Sequence, residues 1–196
     1  MIRSTLIPLV LAAGLASCSG GNSDGQRLVA RPTAYPRLAV YDSIYTDCGL
    51  PAGFEVNAGA TAVNVTPDDN KRESETIWID IKYPAYGATL HCTFIPMDAT
   101  GEKRDQMLAN RHERMMLNLG DNFARQTELQ SETGAETLIL TTTGQTLTPV
   151  QFLSASERWI VSGGLQFADG NVKADSIAPL INAVQRDIIH AARRLR

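Results

Sequence analysis

The residues able to do chemistry are few: Cys18, Cys48 and Cys92, and His91, His112 and His190. A thiol becomes a nucleophile when a base lies within hydrogen-bond reach, so Cys48 with His91 or His112 is the dyad to weigh. His91 and Cys92 are neighbours in an alternating run and must face opposite sides of a strand, which excludes them as a pair. His112-Glu113 begins like the zinc helix of a metalloprotease, but the position that must be the second histidine is Met116. His112 is then simply a packed or half-exposed helix residue. Neither G-x-S-x-G nor a glycine-rich phosphate loop before a helix is present. Thr141-Thr142-Thr143-Gly144 reads as a strand end and turn. No catalytic residue, metal ligand set or cofactor motif is expected. Trp78, Tyr83, Tyr86 and Trp159 could line an apolar ligand pocket, or could equally be core.

The elements that position these residues follow from periodicity. Leu38–Tyr41, Gly53–Val56 and Ala62–Val65 are short β-like runs around the turn Asp47-Cys48-Gly49-Leu50-Pro51. In Thr76–Ile81, Ile77, Ile79 and Ile81 share a face opposite Trp78 and Asp80; in Ala88–Phe94, Leu90, Cys92 and Phe94 oppose His91. Glu102–Leu119 contains no Gly or Pro and carries Leu108, Met115 and Leu119 on one helical stripe. Strands return at Thr127–Ser131, Glu136–Thr142, Pro149–Leu153 and Trp159–Phe167. Gly163-Gly164 in mid-strand implies a bulge or the close approach of another element. A last helix, capped by Asp175 or Ser176 with Pro179 in its first turn, shows the stripe Ile177, Leu180, Ile181, Val184 and Ile188. Burying these five gives about 8–15 kcal/mol gross, so this helix must lie on the sheet. The class is α+β, an antiparallel sheet with packed helices.

The N-terminus carries a different chemistry. Arg3 and the apolar run Thr5–Ala13 read as a secretory signal, too short to remain as a membrane span. It ends Leu15-Ala16-Ser17-Cys18, which resembles the lipobox of bacterial lipoproteins. That resemblance implies a diacylglyceryl group on the Cys18 thiol, cleavage before it and acylation of the new terminus. Residues 1–17 are then a signal peptide, 18–35 a lipidated, polar tether, and 36–196 one globular domain. Two or more acyl chains make anchoring stable where one is marginal.

Of 196 residues, 43% are hydrophobic and 20% charged, which fits a soluble domain rather than a disordered or multi-span chain. A formal charge of −3 and no basic stripe make nucleic acid a poor partner. Arg186, Arg193, Arg194 and Arg196 gather in the last turns of the final helix, where cations offset its dipole. With Cys18 lipidated, Cys48 and Cys92 remain as an even pair in an oxidising compartment. A bridge between them would close a loop of roughly 45 residues, worth about 4 kcal/mol. Against it, Cys92 on the apolar face packs well as a free thiol.

Several segments in order carry a wider resemblance. They are Trp78-Ile79-Asp80-Ile81-Lys82-Tyr83-Pro84, Ala88-Thr89-Leu90-His91, Pro149-Val150-Gln151-Phe152-Leu153, Ser156-Glu157-Arg158-Trp159, Leu165-Gln166-Phe167, Asp175-Ser176-Ile177-Ala178-Pro179 and Asp187-Ile188-Ile189-His190. Together the chain from about Pro36 to Leu195 resembles the gliding-motility lipoprotein GldD family of Bacteroidetes. In that family a second cysteine lies just before the tryptophan, where this chain has Ile77, leaving Cys92 as the substitute partner of Cys48. The element order is similar to the Mog1/PsbP-like sandwich. The resemblance implies a cell-envelope lipoprotein, periplasm-facing, supporting gliding motility and type IX secretion or envelope assembly. It would act without catalysis, through contacts with envelope or secretion-machinery proteins. A small-ligand-binding envelope module is the alternative.

Overall fold

The computed structural model describes residues 43–68, 75–97 and 101–196, all within one compact unit, Tyr35–Arg196. The signal segment, Cys18, the tether, the run Leu38–Tyr41 and most of the charged loop between Pro67 and Glu75 lie outside the described residues.

The strands are β1 (Tyr45–Asp47), β2 (Glu55–Asn57), β3 (Thr61–Asn64), β4 (Ile77–Tyr83), β5 (Ala88–Pro96), β6 (Ala124–Gln130), β7 (Glu136–Thr142), β8 (Gln145–Thr146), β9 (Val150–Ala155), β10 (Trp159–Phe167) and β11 (Val172–Lys173). The helices are α1 (Gly101–Leu119) and α2 (Ala178–Arg194). Seven strands form one antiparallel sheet in the order β3-β4-β5-β10-β9-β7-β6. β1 pairs with β2, and β8 with β11, as separate two-stranded ribbons. The architecture is α+β.

Alternation sends two sets of side chains to two cores. Ile79, Ile81, Leu90, Cys92, Phe94, Ile139, Phe152, Val161 and Leu165 point to one face, where Leu180, Ile181, Val184 and Ile188 of α2 meet them. The β1–β2 ribbon joins this layer through Phe54, whose ring lies edge-on to Phe94 at 5.6 Å, and Val56. On the other face, Ile95, Leu140, Leu153 and Ile160 pack under Met115 of α1. Leu108 is half-buried there, while His112 points to solvent. Buried Gln151 ties α1 down: its Nε2 donates to the Met115 carbonyl at 3.3 Å and its Oε1 accepts from Asn118 at 3.2 Å.

The start of the last helix differs from the sequence expectation, and Gly163 decides between its two alternatives. The last helix starts at Ala178 after a 3-10 turn over Ala174–Ile177, and neither Asp175 nor Ser176 caps it, because Ile177 is the capping position and offers no side-chain acceptor. Gly163 causes no bulge; the β5–β10 register runs unbroken from Trp159↔Pro96 to Phe167↔Ala88. What it permits is close approach: a Cβ there would lie 2.5 Å from Cε1 of Phe152 and 2.9 Å from the His91 carbonyl. Finally, the chain after Tyr83 turns through Pro84–Tyr86 and reverses at Gly87, whose φ of 59° favours glycine.

Candidate functional site

A hydrogen-bonded set of ionisable groups lies where the β1–β2 ribbon meets the C-terminal half of α2. Both ribbon strands are three residues long, so they hold their place through side chains rather than a ladder. Asp187, on the polar flank of the α2 stripe, accepts from the Tyr45 hydroxyl at 2.9 Å and from Asn57 Nδ2 at 3.3 Å. The Tyr83 hydroxyl bonds it from β4. Burial raises the Asp187 carboxyl above its ordinary range, against the pull of these hydrogen bonds and the nearby Arg186. Tyr45 is pushed up to about 12 by burial and by Asp187, and Tyr83 rises for the same two reasons.

One turn further along α2, the His190 ring stacks on Tyr45 with centroids 3.5 Å apart and planes 7° from parallel. Its Nε2 lies 2.8 Å from Glu55 Oε2, while Arg194 Nη1 donates to Glu55 Oε1 at 3.1 Å. One ribbon carboxylate is thus gripped by two successive turns of helix. Beside this junction runs a groove of about 580 Å³ lined by Ser43, Tyr45, Glu132, Arg186, His190 and Arg193 among others. A larger open groove of about 630 Å³ lies between α1 and β6–β7, floored by Leu108, Leu138 and Leu153 and rimmed by Glu128 and Glu136.

Chemically, the junction is a fastening. Asp187 has three donors on it and Glu55 two partners, so neither is poised to take a proton from a substrate. Among the described residues no group of three His, Cys, Asp or Glu could hold a metal ion, and no helix is long and apolar enough to cross a membrane.

The sequence-derived candidates are dispersed. No Cys48–Cys92 bridge is present: Cys48 is exposed in the turn after β1 with its Sγ on the Thr46 carbonyl, and Cys92 is buried on the inner sheet face. Alternation turned Cys92 toward Leu90 and Phe94, and the Cys48 turn does not dip beneath the sheet to meet it. Burial drives the Cys92 thiol far above the range in which thiolate forms. His91 lies on the opposite face from Cys92, its Nδ1 2.7 Å from Asp80 Oδ1. The four aromatics do not line one cavity. Tyr83 and Tyr86 stack on each other inside the core at 5.8 Å, and Trp159 packs against the same core. Trp78 is on the other face, its backbone bonded to the Thr66 hydroxyl. Period-2 alternation on β4 makes this separation unavoidable, since Trp78 and Tyr83 are an odd number of residues apart.

The junction residues Tyr45, Glu55, Asn57, Asp187 and His190 were missed as a site. The only signal was Asp187 and His190 at i and i+3 on one helix, beside an apolar stripe.

Comparison with curated proteins and with solved structures gives no match. The family model described as gliding motility lipoprotein GldD matches residues 25–196, the whole described domain and part of the segment before it. The chain therefore belongs to the gliding motility lipoprotein GldD family.

Proposed function

We propose that this chain is a non-enzymatic cell-envelope lipoprotein, lipidated at Cys18 and facing the periplasm. It supports gliding motility and the linked type IX secretion, or envelope assembly, by contacting envelope or secretion-machinery proteins. Membership of a lipoprotein family implies a membrane anchor, and Leu15-Ala16-Ser17-Cys18 supplies the residue that would carry it. The observation that favours a contact role over catalysis is the ribbon–helix junction. Its ionisable groups are spent on each other, so this cluster fixes shape rather than offering a nucleophile and base. Affinity capture of the membrane-extracted protein should recover envelope or secretion-machine proteins, and a deletion strain should show defective motility or secretion. Normal secretion and motility in that strain, with no captured partner, would overturn the reading.

A further inference from the structure

Six large hydrophobic side chains are exposed among the described residues, and four of them sit on three neighbouring segments. Met116 and Leu117 lie in the last turn of α1, Phe123 just before β6, and Leu147 in the turn between β8 and β9. Single exposed apolar residues are ordinary, but a cluster of them marks a surface that something covers. Phe123 is the extreme case at 85% exposure, followed by Leu117 at 72% and Leu147 at 59%.

Hydrogen bonds hold these segments side by side. Asn122 is fixed to the end of α1, its backbone N–H and its Nδ2 both donating to the Leu119 carbonyl at 3.2 Å. The Phe123 carbonyl accepts from the Thr143 N–H at 2.9 Å and from the Thr143 hydroxyl at 3.2 Å. The Thr142 N–H bonds the Pro149 carbonyl at 2.9 Å, which closes the loop carrying Leu147. The backbone around Phe123 is clamped on both sides while its ring meets solvent. An aromatic mounted rigidly and left uncovered by its own domain gives up little freedom when a partner encloses it.

Charge points to what that partner is. Asp121 and Arg125 flank Phe123 two residues to either side; both are exposed, and neither belongs to an ion pair among the described residues. A two-fold axis at Phe123 would lay the rings of two copies together and set Asp121 of each against Arg125 of the other. Such a contact is isologous and closes on itself. One short stretch carries an apolar centre and one member of each of two ion pairs, and a second copy supplies the missing members by symmetry. The contact uses side chains at the start of β6 and does not extend the ladder along it.

We propose that the chain pairs with a second copy of itself through Phe123, Leu117 and Leu147, with Asp121 and Arg125 matched across the axis. These apolar side chains would form the core of an interface whose remainder, in a contact of roughly 800 Å² per copy, is polar rim.

The test replaces Phe123 by the photoreactive p-benzoylphenylalanine in the full chain in cells, which keeps an aromatic ring at the contact. Irradiation should give a product of twice the chain mass, with the cross-link mapped by mass spectrometry to the Leu117–Arg125 stretch or Leu147 of the second copy. In that chain D121R turns two opposite-charge contacts into two like-charge ones, as does R125D, so either should lower the product by about tenfold. Cells making the D121R and R125D chains together should recover it, because each then meets its opposite charges on the other. L147S should lower it as well. All three substituted positions are exposed, so each variant should keep the native melt. Absence of the doubled product, a product indifferent to the charge swaps, or no recovery when the two variants are made together would each overturn self-pairing. Cross-links to envelope proteins alone would overturn it in favour of a different partner, while leaving the contact role proposed above in place.

Discussion

Asp187 sits where burial and hydrogen bonding oppose each other, and burial prevails. Its carboxyl holds a proton more tightly in the folded chain than in the unfolded one, so this group's contribution is present in full below the ordinary value of 3.8 and is lost as pH rises through the raised one. Subtracting the urea stability of D187N from that of the native sequence should give a difference that falls as pH rises from the ordinary carboxylate value through the raised one. A difference that grows with pH would mean that the Tyr45, Asn57 and Tyr83 bonds outweigh desolvation. Gly163 is the other residue with a sharp demand. A methyl group there meets an aromatic ring and a backbone carbonyl, neither of which can swing aside, so G163A should cost about 1–3 kcal/mol or more. Pairing it with F152L should recover part of that loss relative to the sum of the single changes. Strict additivity would show that the ring is not the obstacle.

At the scale of elements, α2 is the keystone of the larger core. Val184 and Ile188 are fully enclosed, and Leu195 beyond the helix is buried as well, its carbonyl taking the Thr133 hydroxyl. I188A should cost about 2–5 kcal/mol, and removing the chain from Ser176 should abolish the cooperative melt, since a domain has only about 5–15 kcal/mol to lose. A truncated chain that melts unchanged would make the helix peripheral. α1 depends on less, and Q151A, which frees the Met115 carbonyl and Asn118, should cost about 1–3 kcal/mol and raise amide exchange in its last turn. These two helices and the long strands were legible in sequence because each repeats its pattern over seven residues or more. Glu136–Thr142 and Trp159–Phe167 agree residue for residue with the expectation. Of the ribbons only β2 was read in part, within Gly53–Val56, because two or three residues carry no period. β1 is visible only through what it touches: Tyr45 finds Asp187, 142 positions away, and no local rule encodes that distance. The junction was hidden for the same reason, whereas the fate of Cys92 was readable from alternation alone.

For the whole molecule, the decisive position lies outside the described residues. Cys18→Ala should release the chain into the soluble fraction or leave its signal uncleaved, because no other cysteine follows the apolar signal run directly. Full retention on membranes after signal cleavage would defeat the anchor. Among the described residues the sheet ends in two edge strands, four-residue β3 and seven-residue β6. Proteins tethered to a bilayer diffuse in a plane, where local crowding far exceeds that of the same number of molecules in solution, and exposed strand edges are where neighbours would zip together. β3 is too short to template such pairing. β6 is long enough, yet it sets Arg125 and Glu128 along its exposed run, charges that would have to be desolvated in any continuous ladder. On a domain confined to a membrane, those two ordinary surface charges would oppose edge pairing that free diffusion seldom tests.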